Sequence, residues 1–91
     1  MVDVSVVKRD GSIVDYDGRK LRASVIAAAK STRTPVGEAE ITADRVCKHT
    51  ERWLSKKTEV TSADLRRKTA EALLAFNPDA AYIYKQEKTI A

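Results

Sequence analysis

Lys8, Arg9, Lys20 and Arg66 are the side chains of this 91-residue sequence best placed to do chemistry, and that chemistry is the capture of an anion. Lys8 and Arg9 stand just before Asp10-Gly11, a dipeptide that supplies the two positive-φ residues of a tight type I′ hairpin, so the pair sits at a hairpin tip. Lys20 falls in the first turn of a following helix. Arg66 falls in the first turn of a later one, whose free backbone N–H groups also attract anions. Together these groups can oppose a triphosphate. Spacing separates them from ordinary surface charges: Lys68 has Asp64 four residues before it and Arg67 has Glu71 four residues after, whereas Arg66 has Ala70 and borders Leu65 and Thr69. Asp17 is placed as a helix cap, and a capping carboxylate can also accept a ribose hydroxyl.

Nothing in the chain points to bond-breaking chemistry. His49 is the one histidine and has no second imidazole or Cys-x-x-Cys at ligand spacing, so no metal site is expected. Cys47 lies on an apolar helical stripe and reads as a small buried hydrophobe. Three glycines form neither a Walker nor a dinucleotide-binding pattern, which leaves a phosphate site of another geometry and a chain that is not an enzyme.

Composition sets the scale. A chain of 91 residues buries roughly 60 to 65% of its unfolded surface, enough for one modest core. Seventeen Lys and Arg against thirteen Asp and Glu give a formal charge of +4, which favours anionic partners. A single cysteine excludes an intrachain disulfide and fits a reducing compartment. With no secretory leader and no long apolar run, a cytoplasmic location without membrane association is expected.

The elements that must position the cations follow from periodicity. Val4, Val6, Val7, Ile13, Val14 and Tyr16 flank Asp10-Gly11 as β-formers and predict a hairpin over about 4–16, which has to lie against something apolar because two strands alone are marginal. Leu21, Val25, Ile26 and Ala29 predict a helix over 18–30. Ala39, Ala43, Val46, Cys47, Thr50, Trp53 and Leu54 give a second helix over 38–56, closed by Lys56 and Lys57 near the negative end of its dipole. Thr61 or Ser62 caps a third over 62–76, with Leu65, Thr69, Ala72, Leu73 and Phe76 inward. Asn77-Pro78 ends it and starts a fourth over 78–88, with Ala81, Tyr82 and Lys85 on one side. Tyr16, Leu21, Leu65, Thr69 and Tyr82 are of a kind to wall an adenine-sized slot, although such residues at helical spacing are more often core. The expected fold class is α+β, mostly α: an N-terminal hairpin lid over a four-helix cluster, one domain across 1–91.

Three ordered motifs give a sharper reading. Val6-x-Lys8-Arg9-Asp10-Gly11 with Asp17, Lys20 and Leu21; Thr61-Ser62-x-Asp64-Leu65-Arg66 with Ala72-Leu73; and Asn77-Pro78-x-Ala80-Ala81-Tyr82 together resemble the ATP-cone domain. That module regulates many ribonucleotide reductases and occurs in the bacterial repressor of their genes. The resemblance runs from about Val4 to Tyr84. It implies ATP or dATP held between hairpin and helices, with Mg²⁺ accompanying the triphosphate. Carried over by position, Val6 and Val7 line the base pocket and offer backbone contacts, Lys8 and Arg9 meet phosphates, and Asp17 and Lys20 lie near the ribose. Leu21 and Leu65 flank the adenine, Ser62 sits at the helix start, and Arg66 faces the phosphates.

The chain carries no reductase barrel and no zinc ribbon, so the expectation is a free-standing cone or a piece cut from a longer chain. The leading reading is an allosteric adenine-nucleotide sensor whose state is read by a protein partner or a second copy. One alternative is a small basic nucleic-acid-binding module, against which stand the few aromatics and the absence of a recognition helix, so nucleic acid is not an expected partner. Another is a degenerate cone serving as a protein-interaction scaffold through Trp53 or the fourth helix.

Overall fold

A computed structural model describes residues 3–86. The order is β1 (Ser5–Val7), β2 (Ile13–Asp15), α1 (Gly18–Ser31), α2 (Val36–Leu54), β3 (Glu59–Thr61), α3 (Ser62–Phe76) and α4 (Pro78–Gln86). The class is α+β and mostly α, as the periodicities require. The sheet, however, has three strands in the order β2-β1-β3. β1 pairs antiparallel with β2 (Val6 opposite Val14) and parallel with β3 (Val6 opposite Val60). The expected two-stranded lid is therefore corrected: its first strand is the middle of a small sheet, which gives the hairpin the support that two strands lack.

The turn also differs from expectation. Gly11 has φ +89°, while Arg33 is the one non-glycine with positive φ among the described residues, so Asp10 does not share the left-handed region. Gly11 N–H donates to the Lys8 carbonyl at 2.9 Å and Lys8 N–H to the Ser12 carbonyl at 2.8 Å. This is a type I turn followed by a left-handed glycine bulge, not a type I′ turn. The extra residue leaves Ser12 N–H without a cross-strand acceptor, and the Asp10 carboxylate takes it at 2.9 Å together with the Ser12 hydroxyl at 2.7 Å.

Helix ends follow local chemistry. Asp17 caps α1 by accepting from Arg19 N–H at 3.0 Å. At the other end, Thr34 N–H reaches the Ala29 carbonyl and Arg33 N–H the Lys30 carbonyl, a Schellman closure with Arg33 at φ +63° where glycine is usual. α2 starts at Val36, two residues before expectation, because Pro35 serves as its N-cap; it stops at Leu54, with Lys56 and Lys57 in the turn that follows. Of the two cap candidates for α3 it is Thr61 that accepts, from Asp64 N–H at 3.0 Å. The fourth helix is seen to Gln86; residues 87 and 88 of its expected span lie outside the described residues.

Two clusters make the core. The larger joins the helices through Val25, Ala28, Ala29, Ala39, Ala43, Val46, Leu73, Ala80, Ala81 and Tyr84. Its many alanines let helix axes approach closely, and Tyr84 fills the space between α1, α3 and α4. Tyr82, expected inward, is 65% exposed, and Phe76 also lies at the surface. The smaller cluster, Val4, Val6, Leu54 and Val60 with Tyr16, Trp53 and Leu65 against it, seats the sheet on the end of α2 and the start of α3. No helix among the described residues is long and apolar enough to cross a membrane.

Candidate functional site

The parallel pairing of β1 with β3 builds the candidate site. Val7 lies opposite Thr61, and Thr61 is the cap of α3. Lys8 and Arg9, the next residues after β1, therefore leave the sheet beside the first turn of α3, where Ser62 is the first helical residue. Two exposed cations and a helix N-terminus share one edge of the fold. The Asp10 carboxylate accepts from Ser12, and those hydrogen bonds, with a smaller contribution from the Lys8 charge, hold its pKa below the ordinary carboxylate value. Among the described residues neither Lys8, Arg9 nor Lys20 has a carboxylate within 4 Å.

The antiparallel pair sets the opposite end. Tyr16 N–H bonds the Val4 carbonyl, so Asp17 and the start of α1 lie at the end of β1 away from the tip. Four strand residues separate the two, about 13 Å. Asp17, Lys20 and Leu21 thus form one group, and Lys8, Arg9 and Ser62 another. The Asp17 cap uses Oδ1, and the residue is exposed. Val6 is buried in the smaller cluster at 5% exposure, Val7 is half-buried, and Leu65 packs against the same cluster.

Arg66 lies between the groups. It shares the inner face of α3 with Ser62 and Thr69 at helical spacing, is partly buried, and acts electrostatically on the Tyr84 hydroxyl. That hydroxyl meets the Ser24 hydroxyl at 3.3 Å and lies close to Thr69. Ser24 donates to the Leu21 carbonyl at 2.7 Å and Thr69 to the Leu65 carbonyl at 2.7 Å. Leu21 and Leu65, on different helices, are linked through this buried polar chain, with Arg66 beside it. Burial pushes the Tyr84 phenol above its ordinary pKa, and Ser24, Thr69 and Arg66 oppose that shift.

Tyr84 is the residue that sequence reasoning missed. In the run Ala80-Ala81-Tyr82-Ile83-Tyr84 every position is apolar or aromatic, so no periodicity marks the inner face. The available signal was Tyr84 lying four residues after Ala80 and three after Ala81, both buried with it.

A tether holds the hairpin base. The Tyr16 hydroxyl donates to Glu51 Oε2 at 2.8 Å, joining the exit of β2 to α2. Burial and the Glu51 carboxylate both push the Tyr16 phenol pKa upward. A methyl on Gly18 would come within 3.1 Å of the same carboxylate oxygen, so the first turn of α1 packs directly on the tether.

Other side chains play the parts their spacing suggested, with two exchanges. Cys47 is half-buried and its thiol is pushed up to about 11 by burial, with Glu51 and Asp44 adding, which opposes a reactive thiolate. The expected α3 surface pairs are re-partnered: Arg67 bonds Asp64 at 3.2 Å and Lys68 pairs with Glu71 at 3.6 Å. Three-residue spacing on a helix brings side chains as close as four does. No group of His, Cys, Asp and Glu among the described residues is arranged to hold a metal ion. Open grooves lie elsewhere, one of about 390 Å³ along α1 beside Arg22 and Ile26 and one of about 220 Å³ between α2 and α3 beside His49 and Phe76.

Residues 4–87 match the family model described as the ATP cone domain. No curated protein matches the chain.

Proposed function

The chain belongs to the ATP-cone family, a nucleotide-binding regulatory module, and from that premise we propose that it is a non-catalytic sensor of ATP and dATP tied to the regulation of ribonucleotide reductase. The observation that carries this reading is the Val7–Thr61 register, which sets Lys8 and Arg9 beside the N-terminus of α3. In the proposed complex the triphosphate, with its Mg²⁺, lies at that end, met by Lys8, Arg9, the first N–H groups of α3 with Ser62, and Arg66. The adenosine extends toward the other end of β1, its base against Val6, Val7, Leu21 and Leu65. Lys20 and the Asp17 carboxylate face the sugar. A 2′-hydroxyl that donates to Asp17 is the group by which ATP and dATP differ, and differential affinity for two states is what lets the ligands send different signals.

The readers of that signal are a protein partner or a second copy of the chain, and the setting is cytoplasmic. Calorimetry with ATP, dATP, GTP and AMP tests the reading. ATP and dATP bind, AMP binds far more weakly, and Lys8→Ala, Arg9→Ala and Arg66→Ala each weaken binding with helix content unchanged. At about 100 times Kd, ligand adds about 2.7 kcal/mol of stability. Normal binding by all three variants, or a melting curve that is flat across millimolar ATP and dATP, removes the proposal.

A further inference from the structure

We propose that the outer face of α2, extended by Lys57 and Lys68, binds the phosphate backbone of a nucleic acid. Arg45, Lys48, His49 and Arg52 fall within an arc of about 100° on the helical wheel of α2, and Lys56 follows in the turn after the helix. All are exposed. Three of the four carboxylates of α2 lie on another side: Glu40 and Asp44 reach Arg22 of α1, at 3.7 and 2.8 Å, and Glu51 takes the Tyr16 hydroxyl, while Glu38 lies two turns before Arg45 on the side of the stripe. Glu40 and Asp44 thus face α1 while remaining exposed.

Two observations describe this face. First, among the described residues none of Arg45, Lys48, Arg52, Lys56 and Lys57 has a carboxylate within 4 Å, a state shared with other exposed cations such as Lys8, Arg9, Arg19 and Lys20. These five cations exceed the net charge of +4 of the whole chain, so the rest of the molecule sums to −1. Second, aromatic rings hold several of the cations in place. Lys57 and Lys68 lie over Trp53 at 5.7 and 6.0 Å, and Arg45 lies over Phe76 at 5.9 Å. Cations positioned in this way lose less side-chain entropy when they meet an anion. Two acids stand at the margin, Glu38 near the start of α2 and Glu71, paired with Lys68.

The occupant follows from what this face lacks. Cores of protein interfaces are depleted in lysine and rich in apolar contact, whereas this face is mostly charged, with Phe76 and Ile41 as exposed large hydrophobic residues beside it. A membrane-surface helix needs a free apolar face, and that of α2 is consumed in the core. Phosphate backbones require only spaced cations, and interfaces with nucleic acid are the strongly positive ones. The stripe covers about 10 Å from Arg45 to Arg52, with the lysines beyond, enough for about four phosphates.

Fluorescence anisotropy of a labelled 20-base-pair DNA duplex and of its single strand, with the full chain in saturating ATP, tests the inference. Duplex affinity is expected to fall on the order of 100-fold between 50 and 200 mM salt, as displacement of counterions from about four phosphates requires. The quadruple variant R45Q/K48Q/R52Q/K56Q loses binding while circular dichroism and ATP affinity are unchanged, and each single variant lowers the salt slope by about one. Lys8→Ala binds DNA as the parent does, which keeps this face distinct from the nucleotide site. No binding at 50 mM salt, equal binding by the quadruple variant, or equal affinity for polyglutamate would each overturn it.

Discussion

Leu54→Ala tests whether the small cluster under the sheet positions the candidate site. Leu54 has no exposed surface and lies among Val4, Val6 and Val60, with Tyr16, Trp53 and Leu65 against them. Truncation removes three carbon atoms, about 2.4 kcal/mol at 0.8 per methylene, before any cavity term. Measured Leu→Ala costs of about 2.7–5 kcal/mol include that cavity. The half-buried Tyr16 and Trp53 can settle partly into the space, which places the expected loss near the low end, about 3 kcal/mol. With an unfolding entropy of about 2.1 cal/mol/K per residue, this lowers Tm by about 15 °C. Trp53 is the only tryptophan and borders the cluster, so its emission reports the seat of the sheet while circular dichroism reports the helices. In urea the midpoint should fall by about 2–3 M. Trp53 emission should shift to the red, and ATP binding should weaken, because Leu54 packs with Val6 and Leu65, the residues proposed to meet the base. A loss under 1 kcal/mol, or full ATP affinity in a variant with shifted Trp53 emission, would refute the claim that this cluster aligns β1 with α3.

Two further outcomes follow from local chemistry. Gly11→Ala meets no atom within 4 Å, so its cost is conformational, about 1–2 kcal/mol for a side chain at φ +89°; urea titration and ATP calorimetry should both register it, and an unchanged midpoint would mean that the tip does not need its bulge. Stability should fall in alkali. The folded-state pKa values of Cys47, Tyr16 and Tyr84 are raised above their unfolded values, so the folded chain holds protons that the unfolded chain releases. Stability from these groups is complete below about pH 9 and is lost as pH rises, first from Cys47 between about 9 and 11 and then from both tyrosines above 10. Urea midpoints taken from pH 8 upward check this, and a flat profile to pH 11 contradicts the burial of all three.

The tether and the turn explain how a short hairpin can serve as a lid without being loose. β1 is held on both edges, Tyr16 fixes the exit of β2 to α2, and only the stretch from Lys8 to Ser12 projects beyond the strands. The edge strand β2 remains open to solvent, with Ile13 62% exposed. In the proposed mechanism the ligand therefore acts on the tip and on the first turn of α3. The buried chain from Leu21 through Ser24, Tyr84 and Thr69 to Leu65 offers a route from that site into the helix core.

By itself the sequence determined the helices, because stripes such as Ala39, Ala43, Val46, Thr50 and Leu54 repeat at the helical period, and the caps of α1 and α3, Asp17 and Thr61, carry side-chain oxygens. It also determined that Lys8 and Arg9 stand at a tip, since Asp10-Gly11 permits little else. Only the tertiary structure decided what that tip stands beside. β3 is three residues long, too short to show a period, and its partner lies more than fifty residues earlier, so nothing local records the pairing. The inner face of α4 was likewise set by its fit against α1 and α3, which chose Tyr84 over Tyr82 from an unbroken apolar run. On α2 the acids and bases share one polar side when read along the chain, and it is the contacts with Arg22 and Tyr16 that draw Glu40, Asp44 and Glu51 away from the bases. Periodicity fixes which residues share a face; which partner covers that face depends on contacts between segments distant in the chain.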